Sequence, residues 1–286
     1  MATRVASPEF IGRRRELDAL TDAVARGTAG DTLVALVGGD AGIGKSRLVA
    51  EVAAVARASG ALVLEGGCVS LGNGEGLPFA PIVEALRRLP SLIASGSVPG
   101  IEDIDALRTS ETADLGRLLP ELGVGGVPEP DVFDRPGWVQ ARIFEGLLAL
   151  LRMLGERVPV VLIIEDLHWS DSSTRDVLSF LARNARTERL AVVGTFRTDE
   201  LSRRHPLRPW LSEMERVPRV VRIDIGRFGR VELDAQITAI LGHRPSADLL
   251  EAIERRAEGN PFFAEELLAS SAGHPEDALP PTLRDV

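Results

Sequence analysis

Leu33-Val34-Ala35-Leu36-Val37-Gly38-Gly39-Asp40-Ala41-Gly42-Ile43-Gly44-Lys45-Ser46 decides the reading of the chain. The first five residues are an aliphatic run ending in glycine, which predicts a buried strand entering a turn. From Lys45 to Arg57, Leu48, Val49, Val52, Val55 and Ala56 recur at helical spacing. Between strand and helix, Gly39 to Ser46 matches G-x-x-x-x-G-K-[ST]. Glycines let successive backbone N–H groups turn inward on a phosphate, and the helix that follows turns its positive end to the same anion. Lys45 is the point charge for the outer phosphates, and the Ser46 hydroxyl suits Mg2+. The predicted nucleotide contacts are Gly39, Asp40, Ala41, Gly42, Ile43, Gly44, Lys45, Ser46 and Arg47.

Composition sharpens the motif. Of 33 basic residues in the 286-residue chain, a single one is lysine, and it stands at position 45. Arginine is a planar fork of different reach and hydration, so it does not substitute for an ammonium here. Acidic residues number 42 and the net charge is -9, which argues against a segment that grips nucleic acid non-specifically. Cys68 is the lone cysteine, so no internal disulfide forms, and it is expected to pack as a small hydrophobe. The opening residues lack the apolar core of a signal peptide, and no run approaches the ~18 apolar residues of a membrane span. A cytoplasmic location is the expectation.

Outward from the loop, strands are expected at Ala61–Glu65, Val160–Glu165, Leu190–Thr195 and Val220–Ile225, and helices at Phe79–Leu89, Trp138–Leu154 and Ser172–Ala185. That alternation predicts an α/β fold, a three-layer parallel sheet of the P-loop NTPase kind, over residues 1–226. Residues 90–136 carry Ser, Gly and Pro clusters around two short helical pieces and read as a weakly ordered insertion. After Gly226 the pattern is helical only (Val231–Leu241, Ala247–Ala257, Pro261–Ser270), predicting a small all-α subdomain over 227–286.

A phosphate loop needs an acidic partner on a neighbouring strand. Val160 to Ile164 followed by Glu165-Asp166 supplies two carboxylates at a strand end. Successive strand residues face opposite ways, so one points at the metal, together with Ser46. By position Glu165 takes that place and Asp166 polarises the attacking water; the reverse assignment stays open. Arg197, ending Gly194-Thr195-Phe196, is placed to reach a terminal phosphate. Lys45, Glu165, Asp166 and Arg197 form the predicted catalytic set. His168 and Trp169 are expected to serve as a packed turn.

These blocks resemble the nucleotide-binding core of the STAND class of signal-transduction ATPases, relatives of the AAA+ ATPases. Within it they look most like the large ATP-binding LuxR-type bacterial regulators. Phe10-Ile11-Gly12-Arg13 with Glu16-Leu17 is similar to the element that lies against adenine and ribose, which assigns Arg13 to the nucleotide. Glu165 to Asp171 resembles the class's extended acidic motif, and Gly194 to Arg197 its sensor arginine. Gly259-Asn260-Pro261-Phe262-Phe263 resembles the lid element whose proline, here Pro261, packs on the base. The resemblance implies ATP and ADP with Mg2+ as cofactors, a slowly hydrolysing regulatory switch, and self-association governed by ATP. The resemblance implies that a winged-helix domain begins near Pro280-Pro281 and that DNA contact belongs to a C-terminal helix-turn-helix of a longer regulator, not to this segment. A module that holds ADP without hydrolysis and a small-molecule P-loop kinase are the alternatives; few arginines in 90–136 weigh against the kinase.

Overall fold

The structure is a computed structural model that describes residues 6–70, 77–120 and 136–271. Its centre is an all-parallel sheet of β1 (Leu33–Gly39), β2 (Leu62–Gly67), β3 (Val160–Glu165), β4 (Leu190–Arg197) and β5 (Val220–Asp224) in the order β2-β3-β4-β1-β5. The aliphatic run at 33–37 becomes β1, buried along its whole length because it has a neighbour on each side. Alternate residues serve opposite faces. Ala35, Val37, Val161, Ile163 and Val193 meet α1 (Arg14–Thr28) and α2 (Lys45–Ala58), through Leu20, Val24, Leu48 and Val52. Val34, Leu36, Leu162, Ile164 and Val192 face a larger core built with α3 (Ala80–Arg87), α4 (Leu89–Ala94), α5 (Pro136–Arg157), α6 (Ser172–Asn184) and α7 (Leu207–Met214). The three-layer α/β class is the one the strand and helix alternation predicts.

After β5, α8 (Arg230–Leu241), α9 (Ala247–Ala257) and α10 (Pro261–Ser271) enclose their own small core of Leu233, Ile237, Leu250, Ile253, Ala264 and Leu268. Ser246 caps α9 by accepting from Leu249 N–H. Residues 272–286, including Pro280-Pro281, lie outside the described residues.

The structure departs from the sequence reading at several places. β2 begins one residue later than expected and continues to Gly67, and β4 runs on to Arg197. The helix expected at 79–89 is two, α3 and α4, joined at Arg88. Two helices, α1 and α7, go beyond the expected set. The stretch expected as a weakly ordered insertion is instead packed: most of α4 lies in it, and the two short helical pieces expected near 102–108 and 111–121 are the 3-10 turns Ile104–Leu107 and Ala113–Arg117. Val98, Ile101, Leu107, Leu115 and Leu119 are buried there in the same core as α5. Single apolar residues set in 3-10 turns bury well but leave no 3.6-residue period to read. Residues 121–135 are outside the described set. No helix among the described residues is long and apolar enough to cross a membrane.

Two measurements probe this packing. A Cβ on Gly66 would lie 1.9 Å from the Pro81 carbonyl oxygen, whereas one on Gly67 meets nothing within 4 Å. Gly66→Ala is expected to lower unfolding stability by about 1–3 kcal/mol in urea titrations and Gly67→Ala to leave it nearly unchanged. Cys68 is buried beside β3, and burial pushes its thiol up to about 12 from 9.0. Its reaction with a thiol reagent near neutral pH should be at least about a thousandfold slower in the folded chain than in urea.

Candidate functional site

The phosphate loop leaves β1 at Gly39 and closes on α2 at Lys45. Gly42 at φ 72 and Gly44 at φ 103 hold the left-handed turns that bring it round, conformations costly for any residue with a Cβ. Lys45 is 7% exposed, and its ammonium donates to the carbonyls of Gly39 and Asp40, both at 2.8 Å. Burial, and secondarily the Arg197 charge, lowers the pKa of this amine from its ordinary value. The lone lysine thus folds back across the loop in which its charge is to act.

The acidic strand arrives next to it. The Ser46 hydroxyl donates to the Glu165 carboxylate. Asp166 leaves the strand direction at once: its backbone is left-handed at φ 59, and its N–H donates to the Thr195 hydroxyl at 3.0 Å. The turn Leu167–Trp169 follows. The side chain of His168 is fully buried, and its Nδ1 accepts from the Arg197 N–H at 3.4 Å. Burial lowers the pKa of this imidazole from 6.5, which favours the neutral ring. With Nδ1 accepting, the ring proton sits on Nε2, which faces Glu200 at 3.5 Å. Trp169 packs between this ring, at 4.5 Å, and the Arg197 guanidinium, at 5.1 Å. Arg197 also donates to the Glu200 carboxylate. His168 and Trp169 therefore shape the turn that carries the acids and hold the end of β4.

The opposite side of the loop is built by the N-terminal segment and the helical subdomain. Arg13 is buried at φ 59, its guanidinium 4.5 Å from the Phe228 ring and donating to the Ile43 carbonyl at 3.4 Å. Burial lowers its pKa, against the raising effect of Glu16 and Glu232. Arg47 donates to the Ser7 carbonyl at 2.8 Å. Pro261 opens α10, and its carbonyl accepts from Gln236 at 3.1 Å. Its two neighbours bind the loop directly: Asn260 donates to the Ala41 carbonyl at 2.8 Å and Phe262 N–H to the Gly42 carbonyl at 3.3 Å.

The structure thus gathers residues 39–47, Glu165, Asp166 and Arg197 at the carboxyl ends of neighbouring strands. Arg13 reaches the same loop directly, and Pro261 is brought to it by its neighbours. Sequence reasoning does not single out Thr198, Asp199 or Arg227. Thr198 donates to the Asp40 carboxylate at 2.9 Å, Asp199 accepts from the Ala41 N–H, and Arg227 lies 3.6 Å from Asp40 and 2.8 Å from Glu258. The available signal is position alone: Thr198 and Asp199 continue the strand that ends in Arg197, and Arg227 begins the connection to α8.

Ser46 and Glu165 set a hydroxyl and a carboxylate against each other, the oxygen donors a hard divalent cation takes. The loop above them offers a glycine cradle, with no atom within 4 Å of where a Cβ on Gly44 would stand. These residues fit a metal–phosphate group.

Comparison with known proteins agrees with this arrangement. The AAA ATPase domain family matches residues 9–193. An uncharacterized protein of Rhizobium meliloti (strain 1021) is 28% identical over 275 residues. The alignment takes in 92% of this chain, which spans 25% of that relative's length. Among solved structures, a signal transduction ATPase with numerous domains carrying a tetratricopeptide repeat sensor, from Pyrococcus horikoshii, superposes with a TM-score of 0.50 at 18% identity. It covers 98% of this chain and 33% of its own. The Aeropyrum pernix ORC1 protein in complex with DNA gives 0.49 at 16% identity, over 96% of this chain and 64% of its own. At 18% identity the first of these likenesses speaks for the fold alone. With the phosphate loop, the acidic strand and the family match all falling in one stretch, the chain belongs to the AAA ATPase domain family.

Proposed function

We propose that the chain binds ATP and ADP with Mg2+ and acts as a slowly hydrolysing regulatory switch of the STAND kind, one module of a longer signal-transducing regulator of the LuxR type. The observation that carries this reading is the bonding of the phosphate loop on two sides. Asp40 and Ala41 bond the turn after β4 through Thr198 and Asp199, and the connection to the lid through Arg227 and Asn260. A change at the phosphates would be felt on both sides, as a switch requires. The net charge of -9 supports nucleotide, not nucleic acid, as the partner of this segment.

In this reading Lys45 exchanges the carbonyls of Gly39 and Asp40 for phosphate oxygens. Ser46 and Glu165 would hold the cation, which when bound neutralises phosphate charge. Asp166, on the same turn but off the strand axis, accepts a proton from the attacking water and orients it. Arg197 turns from Glu200 toward the charge that develops on the terminal phosphate. Arg13 and Pro261 lie on the side assigned to adenine and ribose. The Ser46–Glu165 contact supports giving the metal to Glu165 and the water to Asp166.

ATP turnover and nucleotide binding by the purified chain test the proposal. Lys45→Ala and Lys45→Arg should both weaken ATP binding by about 100-fold or more, the second despite its kept charge. Asp166→Asn should keep ATP binding and lose about 100-fold in turnover. Glu165→Gln should shift the Mg2+ requirement upward. ADP release that depends on an added small acceptor would replace the switch by a kinase. Tight ADP binding with no turnover would replace it by a holding module.

A further inference from the structure

One N–H group of the phosphate loop already has an anion on it. Ala41 N–H lies 3.1 and 3.2 Å from the two carboxylate oxygens of Asp199. The turn that carries this carboxylate is fixed, because the preceding residue ties it down twice. Thr198 N–H donates to the Gly39 carbonyl at 3.2 Å, and its hydroxyl donates to the Asp40 carboxylate at 2.9 Å. The neighbouring acid has other business: Glu200 takes Arg197 and faces His168. Among the charges that favour the ionised Lys45, Asp199 ranks first, ahead of Asp166 and Asp40. Its carboxylate therefore sits in the field of the cation intended for the outer phosphates.

A carboxylate and a phosphate oxygen would compete for that one N–H, and two anions cannot share it at close range without repulsion. A diphosphate that ended short of this contact would leave it alone, whereas a third phosphate reaching it would have to expel it. We propose that Asp199 sets the discrimination between nucleoside diphosphates and triphosphates: it stands in the terminal-phosphate position of the loop and is displaced when that phosphate arrives. This rests on the nucleotide-binding reading above and adds to it the residue that selects the charge state. The turn it belongs to holds Asp40 by Thr198, and the other oxygen of that carboxylate faces Arg227, so the displaced acid loosens the loop on the path to the lid.

The test is calorimetric binding of ADP and of a non-hydrolysable ATP analogue, each with Mg2+, to the unsubstituted chain, Asp199→Asn and Asp199→Glu. Asp199 is on the surface, and circular dichroism checks that the variants fold. Asp199→Asn keeps the shape and removes the charge; it should tighten the analogue by about tenfold and leave ADP within about twofold. Asp199→Glu, which restores the charge, should return the ratio of the two affinities toward that of the unsubstituted chain. An unchanged ratio in Asp199→Asn, or weaker analogue binding, overturns the assignment while leaving nucleotide binding intact. If the unsubstituted chain binds neither ligand, the parent reading fails and this one fails with it.

Discussion

Everything at this site depends on four consecutive peptide groups, 39 to 42, where the chain passes from the end of β1 into the phosphate loop. The Gly39 and Asp40 carbonyls are taken by Lys45. The Ala41 N–H goes to the turn after β4, while the Ala41 and Gly42 carbonyls go to the start of α10. Polar backbone groups here find partners both in Lys45, within the loop, and in segments remote in sequence. The loop's shape is consequently a property of the assembled chain as well as of its own eight residues.

Strand order makes that assembly possible. β1 lies between β4 and β5, so the loop emerges between Arg197 and Asp224 and not at an edge. β3 lies one strand beyond β4, which sets Glu165 within reach of Ser46 while Thr195 holds the backbone of Asp166. Close approach is enforced by small residues: a Cβ on Gly38 would meet Asp224 and Phe196 at 2.5 and 2.6 Å, and one on Gly194 would meet Leu167 at 2.5 Å. The buried His168 is the hinge pin of this corner, accepting from Arg197 and stacking on Trp169.

Much of this is legible in the residues, and the parts that are not have identifiable causes. Continuous aliphatic runs ending in glycine or acid reveal β1 and β3, because a strand covered on both faces has no polar side to interrupt it. The inward face of α1 does recur at helical spacing, Leu20, Ala23, Val24 and Gly27, but two of the four are too small to register as apolar. In α7 the pattern Leu207, Trp210, Leu211, Met214 is complete, yet Pro209 reads as a breaker. Within the first turn of a helix its missing N–H costs little. Asp199 is illegible for a different reason: its role is set by a hydrogen bond to a residue 158 positions away, and nothing local marks an aspartate for that.

The position of β1 also bears on how the chain is made. Val34 pairs with Val192 on one side and Val220 on the other, so the first strand has no neighbour in the sheet until the last strands have been synthesised. During translation β1 would wait without a strand neighbour, because both of its strand pairings are long-range and slow to close. A ribosome-bound chain that stops before β4 would carry the whole Gly39–Ser46 sequence and none of the long-range bonds to Thr198, Asp199 and Asn260 that help shape it.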